Sequence, residues 1–148
     1  LEIPVFGVGW DKYNLMYYST MIKNELRKIR KADVDYLMYH QISYLKEVLK
    51  DKLAVSIGVT NVGKMGNEPC YENISEFEKD IGILKEIGIN SFSLFSLDGI
   101  IEKNKLLGYL ASMERAEPYK PAICNRVIRN EEISELLFGI GKLYYRLR

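Results

Sequence analysis

The chain has 148 residues, of which 47% are hydrophobic and 28% charged, with a formal net charge of +1. That length predicts one domain, and that composition excludes a disordered chain. A near-neutral balance with no basic stripe argues against nucleic acid or an anionic membrane as partner, and no apolar run approaches the roughly 18 residues of a membrane-spanning helix.

The sequence starts at Leu1 and enters a predicted strand almost at once, so it reads as a piece of a longer chain in which a missing signal peptide says little. Ile3 to Trp10 is that first strand. Lys12 to Lys31 is predicted as a helix, because Leu15, Tyr18, Ile22, Leu26 and Ile29 recur every three or four residues. Arg27, Lys28, Arg30 and Lys31 then fall in its last turn, where cations complement the helix dipole. Val34 to Gln41 reads as a second strand, followed by a short helix through Lys50 that Ser43 could cap.

Leu53 to Thr60 is the third predicted strand. It alternates large apolar with small residues, as expected where one face meets helices and the other a crowded interior. The connection Asn61 to Asn73 is the longest in the chain, a length often associated with function. Ser75-Glu-Phe-Glu78 has the form of a capping box, Phe77, Ile81 and Leu84 form an apolar stripe, and Gly88 supplies a left-handed stop. Ser91 to Leu97 is the fourth strand, ending at Asp98-Gly99, and a helix follows from about Glu102 to Ala116. Pro118 and Pro121 break the pattern. A last amphipathic helix from Asn130 carries Ile133, Leu136, Leu137, Ile140, Leu143, Tyr144 and Leu147.

Four strand–helix alternations imply an α/β fold with parallel strands and crossover connections. The expected division is residues 1–117 as four βα units and 118–148 as a linker and C-terminal helix packed on the same domain. An open dinucleotide-binding sheet would carry a Gly-rich turn after its first strand, but Gly7 and Gly9 lie inside that strand. The segments Phe6-Gly-Val-Gly-Trp-Asp11, Ile57-Gly-Val-Thr-Asn61 and Phe92-Ser-Leu-Phe-Ser-Leu-Asp98 each end a strand on an aromatic or polar residue. In this the chain resembles the later strands of (β/α)8 hydrolases of the glycosidase type. The resemblance implies the C-terminal half of a TIM-type barrel, with a missing N-terminal half supplied elsewhere or by self-association.

In parallel α/β folds ligands bind where strands end. The predicted strand ends carry Trp10, Asp11, His40, Gln41, Thr60, Asn61 and Asp98. Carboxylates serve as acid, base or nucleophile, amides orient hydroxyls, and Trp stacks on sugar rings. The expected catalytic residues are Asp98, Asp11 and His40, with Trp10, Gln41, Asn61 and Glu68 on the substrate. Asn67-Glu68-Pro69 looks like the acid/base motif of a large glycosidase clan, although it lies inside a loop rather than directly after a strand. Ser43-Tyr-Leu-Lys46 matches Ser-x-x-Lys by spacing alone and reads as a helix cap with a solvated lysine. Cys70 and Cys124 belong to no Cys-x-x-Cys pair, so neither metal nor other cofactor is expected, and isolated thiols suit a cytoplasmic setting. Asn73-Ile-Ser75 fits the glycosylation pattern, which has meaning only in a secreted protein.

Two functions follow. One is a carbohydrate-active hydrolase fragment. The other is a non-catalytic sugar-binding or degenerate barrel module that pairs with another domain or chain.

Overall fold

In a computed structural model the described residues are 9–25, 30–58, 69–96, 100–101 and 106–122. The chain divides into two compact units, Lys12–Ile123 and a second unit of Leu1–Asp11 with Cys124–Arg148. Only residues 9–11 of the second unit are described. The predicted strand from Ile3 therefore falls largely outside the described residues, and the predicted helix from Asn130 falls wholly outside them.

The first unit runs β1 (Tyr13–Tyr17), α1 (Ser19–Glu25), α2 (Lys31–Leu49), a 3-10 turn (Lys50–Lys52), β2 (Leu53–Gly58), α3 (Ile74–Ile87), β3 (Phe92–Phe95) and α4 (Leu106–Arg115). The strands form a parallel sheet in the order β1-β2-β3, with Tyr13 opposite Leu53 and Val55 opposite Phe92. This is an α/β fold, and its strands are parallel and adjacent in chain order. It is not four βα units of a barrel: the described sheet has three strands, and the half-barrel expectation is overturned.

Two errors of period produced that expectation. Residues 34–41 belong to helix α2, not to a strand. Val34, Asp35, Leu37, Met38 and Ile42 are its buried residues, a helical spacing hidden in a run of apolar and aromatic residues that also suits a strand. Conversely, Tyr13–Tyr17 begins what reads in sequence as one long helix. Its covered positions are 13, 15 and 17, but Met16 and Tyr18 on the other face are apolar too, so a period of two passes for a period of three or four. Of the basic cluster, Arg27 and Lys28 lie outside the described residues. Arg30 and Lys31 stand at the start of α2, where Arg30 pairs with Asp33 at 2.8 Å and Lys31 with Glu76 at 3.2 Å.

The start of α3 also differs in detail. Asn73, not Ser75, is the cap: its Oδ1 accepts the Glu76 amide at 3.1 Å, and Ser75 Oγ donates to the same oxygen. Glu76 reaches back beyond the cap residue and accepts from the Glu72 amide at 3.4 Å. Gly88 ends the helix as expected, at φ 78°, with its amide bonded to Leu84 and Lys85 carbonyls.

Met38 and Ile42 of α2 and Phe77, Ile81 and Leu84 of α3 form one core with Tyr17, Leu53, Val55 and Ile57 of the sheet. Helices thus cover one sheet face. On the other face lie Asn14, Met16, Ala54, Ser56, Gly58, Ser93 and Phe95. No described helix is long and apolar enough to cross a membrane.

Candidate functional site

Trp10 and Asp11 belong to the second unit and are both exposed. His40 and Gln41 stand in the middle of α2 rather than at a strand end. His40 is on its outer surface, with ring centroids 4.2 Å from Tyr36 and 5.6 Å from Tyr39. Gln41 is half-buried, and its buried Nε2 has no hydrogen-bond partner. Thr60, Asn61, Glu68 and Asp98 lie outside the described residues. The rim expected to gather these groups depended on a strand at 34–41 that is a helix.

The perturbed ionisable groups cluster instead where β1 passes into α1. Ser19 opens α1, and its hydroxyl donates to Asp80 Oδ2 on α3. The Tyr71 hydroxyl donates to the same oxygen at 2.6 Å. Asp80 is 1% exposed, and its Oδ1 has no hydrogen-bond partner. Burial pushes its carboxyl up to about 6; the bonds from Ser19 and Tyr71 oppose the shift and Asp35 adds to it. Burial likewise raises Asp35, partly offset by Lys31, and raises Tyr17 and Tyr71, both also facing Asp80.

Outside this cluster sits Glu76, where burial favours the neutral form but hydrogen bonds from Lys23 and Lys31 outweigh it and hold the carboxyl below its ordinary value. Between the two lies a void of about 10 Å³, room for one water at most. The cluster can hold a proton but is sealed from any substrate. A neighbouring cleft of about 120 Å³, lined by Thr20, Lys23, Pro69, Cys70, Glu72 and Glu76, is well below the roughly 300–1,000 Å³ of an enclosing ligand pocket. Its cation is taken: Lys23 lies 3.1 Å from Glu76 and 3.5 Å from Glu72. Among the described residues no three His, Cys, Asp or Glu side chains converge as a metal site.

The sheet face that no described helix covers carries a polar arrangement, with Asn14 and Ser93 exposed and Ser56 between them buried. Asn14, Ser56 and Ser93, one from each strand, form a ladder. Asn14 Nδ2 donates to Ser56 Oγ at 2.8 Å, Ser56 Oγ lies 3.2 Å from Asn14 Oδ1, and the two serine hydroxyls are 2.7 Å apart. With Ser56 donating to Asn14 and accepting from Ser93, the central hydroxyl is satisfied, while exposed Asn14 keeps one N–H and Ser93 its lone pairs for an outside partner. Two residues further along, Tyr18 and Phe95 stack across Gly58, with centroids 6.0 Å apart and planes 22° apart. Gly58 makes this possible, since a Cβ there would fall 2.9 Å from Tyr18 Cγ. Phe95 is 47% and Met16 59% exposed. No charged side chain occurs in Tyr13–Thr20, Leu53–Gly58 or Ser91–Ser96.

The reading from sequence misses this face because it assigns Asn14 to a helix. The alternation of large and small residues in Leu53–Gly58 is the signal that could have found it. Comparison with protein families, with curated proteins and with solved structures finds no match to this chain.

Proposed function

We propose that this chain is a non-catalytic saccharide-binding module whose sheet face opposite the described helices takes a neutral, polyhydroxylated ligand. The observation that carries the reading is the uncharged ladder Asn14–Ser56–Ser93 beside the stacked pair Tyr18 and Phe95. Amides and hydroxyls that donate and accept match sugar hydroxyls, and an aromatic ring matches the apolar C–H face of a pyranose. At 4.7–4.9 Å between strands, the ladder spans roughly 10 Å, the scale of a short oligosaccharide. The absence of charge on these strands disfavours ionic ligands, for which desolvation would go uncompensated.

The test is titration calorimetry with a panel of neutral oligosaccharides. Asn14→Ala and Phe95→Ala should each weaken binding about 3- to 12-fold, the equivalent of one lost hydrogen bond or ring contact. Equal affinity in both variants would remove this face from the function. Release of reducing ends by the chain alone would favour a hydrolase.

A further inference from the structure

We propose that Asp80, acting through Ser19 from the covered side of the sheet, is a positioning residue that holds the Tyr18 ring in the saccharide face. This rests on the ligand reading above but is carried by different contacts. Tyr17, Tyr18 and Ser19 are consecutive where β1 runs into α1. The alternation of a strand sends Tyr17 into the core beside Asp80 and Asp35, and Tyr18 to the opposite face against Gly58 and Phe95. Ser19 is again buried, with its hydroxyl on Asp80. The Tyr18 carbonyl accepts from the amides of Met21 at 3.1 Å and Ile22 at 3.2 Å, which fixes the same residue to the first turn of α1. The backbone bearing the ring is therefore tethered on one side to α1 and on the other, through Ser19, to α3.

The strength of that tether depends on the charge of Asp80. As a carboxylate, Oδ2 receives charge-assisted bonds from Ser19 and Tyr71, roughly twice as strong as neutral ones. A proton added at Oδ1, which has no partner, turns Oδ2 into a neutral carbonyl and weakens both. The titratable groups facing Asp80 are Tyr17 from β1, Lys31 and Asp35 from α2 and Tyr71 from the segment before α3, with Tyr109 of α4 beside Tyr71. Burial places the Asp80 transition near pH 6. Acidification should therefore loosen Tyr18 and lower affinity.

The experiment follows the Gly58 and Phe95 amide signals of the 15N-labelled full chain from pH 5 to 7.5, because the Gly58 backbone lies against the Tyr18 ring. A step in both signals is expected in the wild type. Asp80→Asn, which keeps the shape and fixes the neutral state, should abolish it, and Ser19→Ala should abolish it while leaving Asp80 in place. A step surviving in either variant, or no step in the wild type, overturns the proposal. In parallel, calorimetry with the tightest neutral oligosaccharide should show wild-type affinity falling several-fold between pH 7.5 and 5, with Asp80→Asn weak at both. A step in the amide signals without saccharide binding at either pH would support the tether and reject the ligand reading.

Discussion

A carboxylate at position 80 interrupts the apolar stripe of Phe77, Ile81 and Leu84, and the structure shows it sealed between Ser19 and Tyr71. Its folded-state carboxyl is raised, from an ordinary value of 3.8 to about 6. The folded state thus binds this proton more tightly than the unfolded state. The associated stability is complete below pH 4 and is lost as pH rises through about 6. About 3 kcal/mol is at stake, since each tenfold gain in proton affinity is worth roughly 1.4 kcal/mol. Urea midpoints should fall between pH 5 and 7.5 in the wild type and fall less in Asp80→Asn, where the Asp35 carboxyl, also raised by burial, still adds a loss of the same sign. Glu76 does not obscure this window, because its carboxyl is lowered and its contribution disappears only as pH falls through the acid range. The cluster is partly legible in sequence: an aspartate on the buried stripe of a helix is a visible anomaly. Its partners are not, since Ser19 lies far along the chain and only the fold brings it to Asp80.

At the scale of the element, sequence reads α3 almost correctly and α2 wrongly, for the same physical reason. Helix α3 carries end signals that no strand would carry, an Asx or Ser cap and a Gly stop, whereas α2 begins after Arg30 with no side-chain cap bond. Without caps, only periodicity separates helix from strand, and Val34 to Gln41 is apolar on too many sides to decide. Asn73→Ala should destabilise the unit by about 1 kcal/mol, whereas Ser75→Ala should cost only a few tenths, because the capping oxygen belongs to Asn73. Gly88→Ala should cost about 1 kcal/mol at its left-handed φ. Urea midpoints of the three variants give the ranking, and a larger loss for Ser75→Ala would return the cap to that residue.

In the described residues the unit is a parallel sheet with its helices packed on one face. Parallel sheets are ordinarily covered on both. Its two faces should therefore respond oppositely to truncation. Ile57→Ala, at 0% exposure, should cost about 2–5 kcal/mol. Met16→Ala, opposite Ser56 on the other face, should stay within about 0.5 kcal/mol. Thermal melts of both variants test this, and a comparable loss at Met16 would mean that the second face is packed. Of the pairings, only that of β2 with β3 is legible from strand–helix alternation and the missing hairpin signals, since β1 reads as helix. The barrel expectation fails because its count requires a strand where α2 lies.

The position of β2 at the centre of the sheet has a kinetic consequence. Each of its edges pairs with a strand reached only after a helical crossover, so no register contact such as Tyr13 with Leu53 or Val55 with Phe92 is local. Closing such loops costs entropy before any contact repays it, and nucleation must bring distant segments together around β2. Val55→Ala should accordingly slow refolding more than it speeds unfolding, while Tyr109→Leu in α4 should act mainly on unfolding. Stopped-flow chevrons on the two variants would locate the nucleus, and this chain's slow step would then be the search that assembles its middle strand.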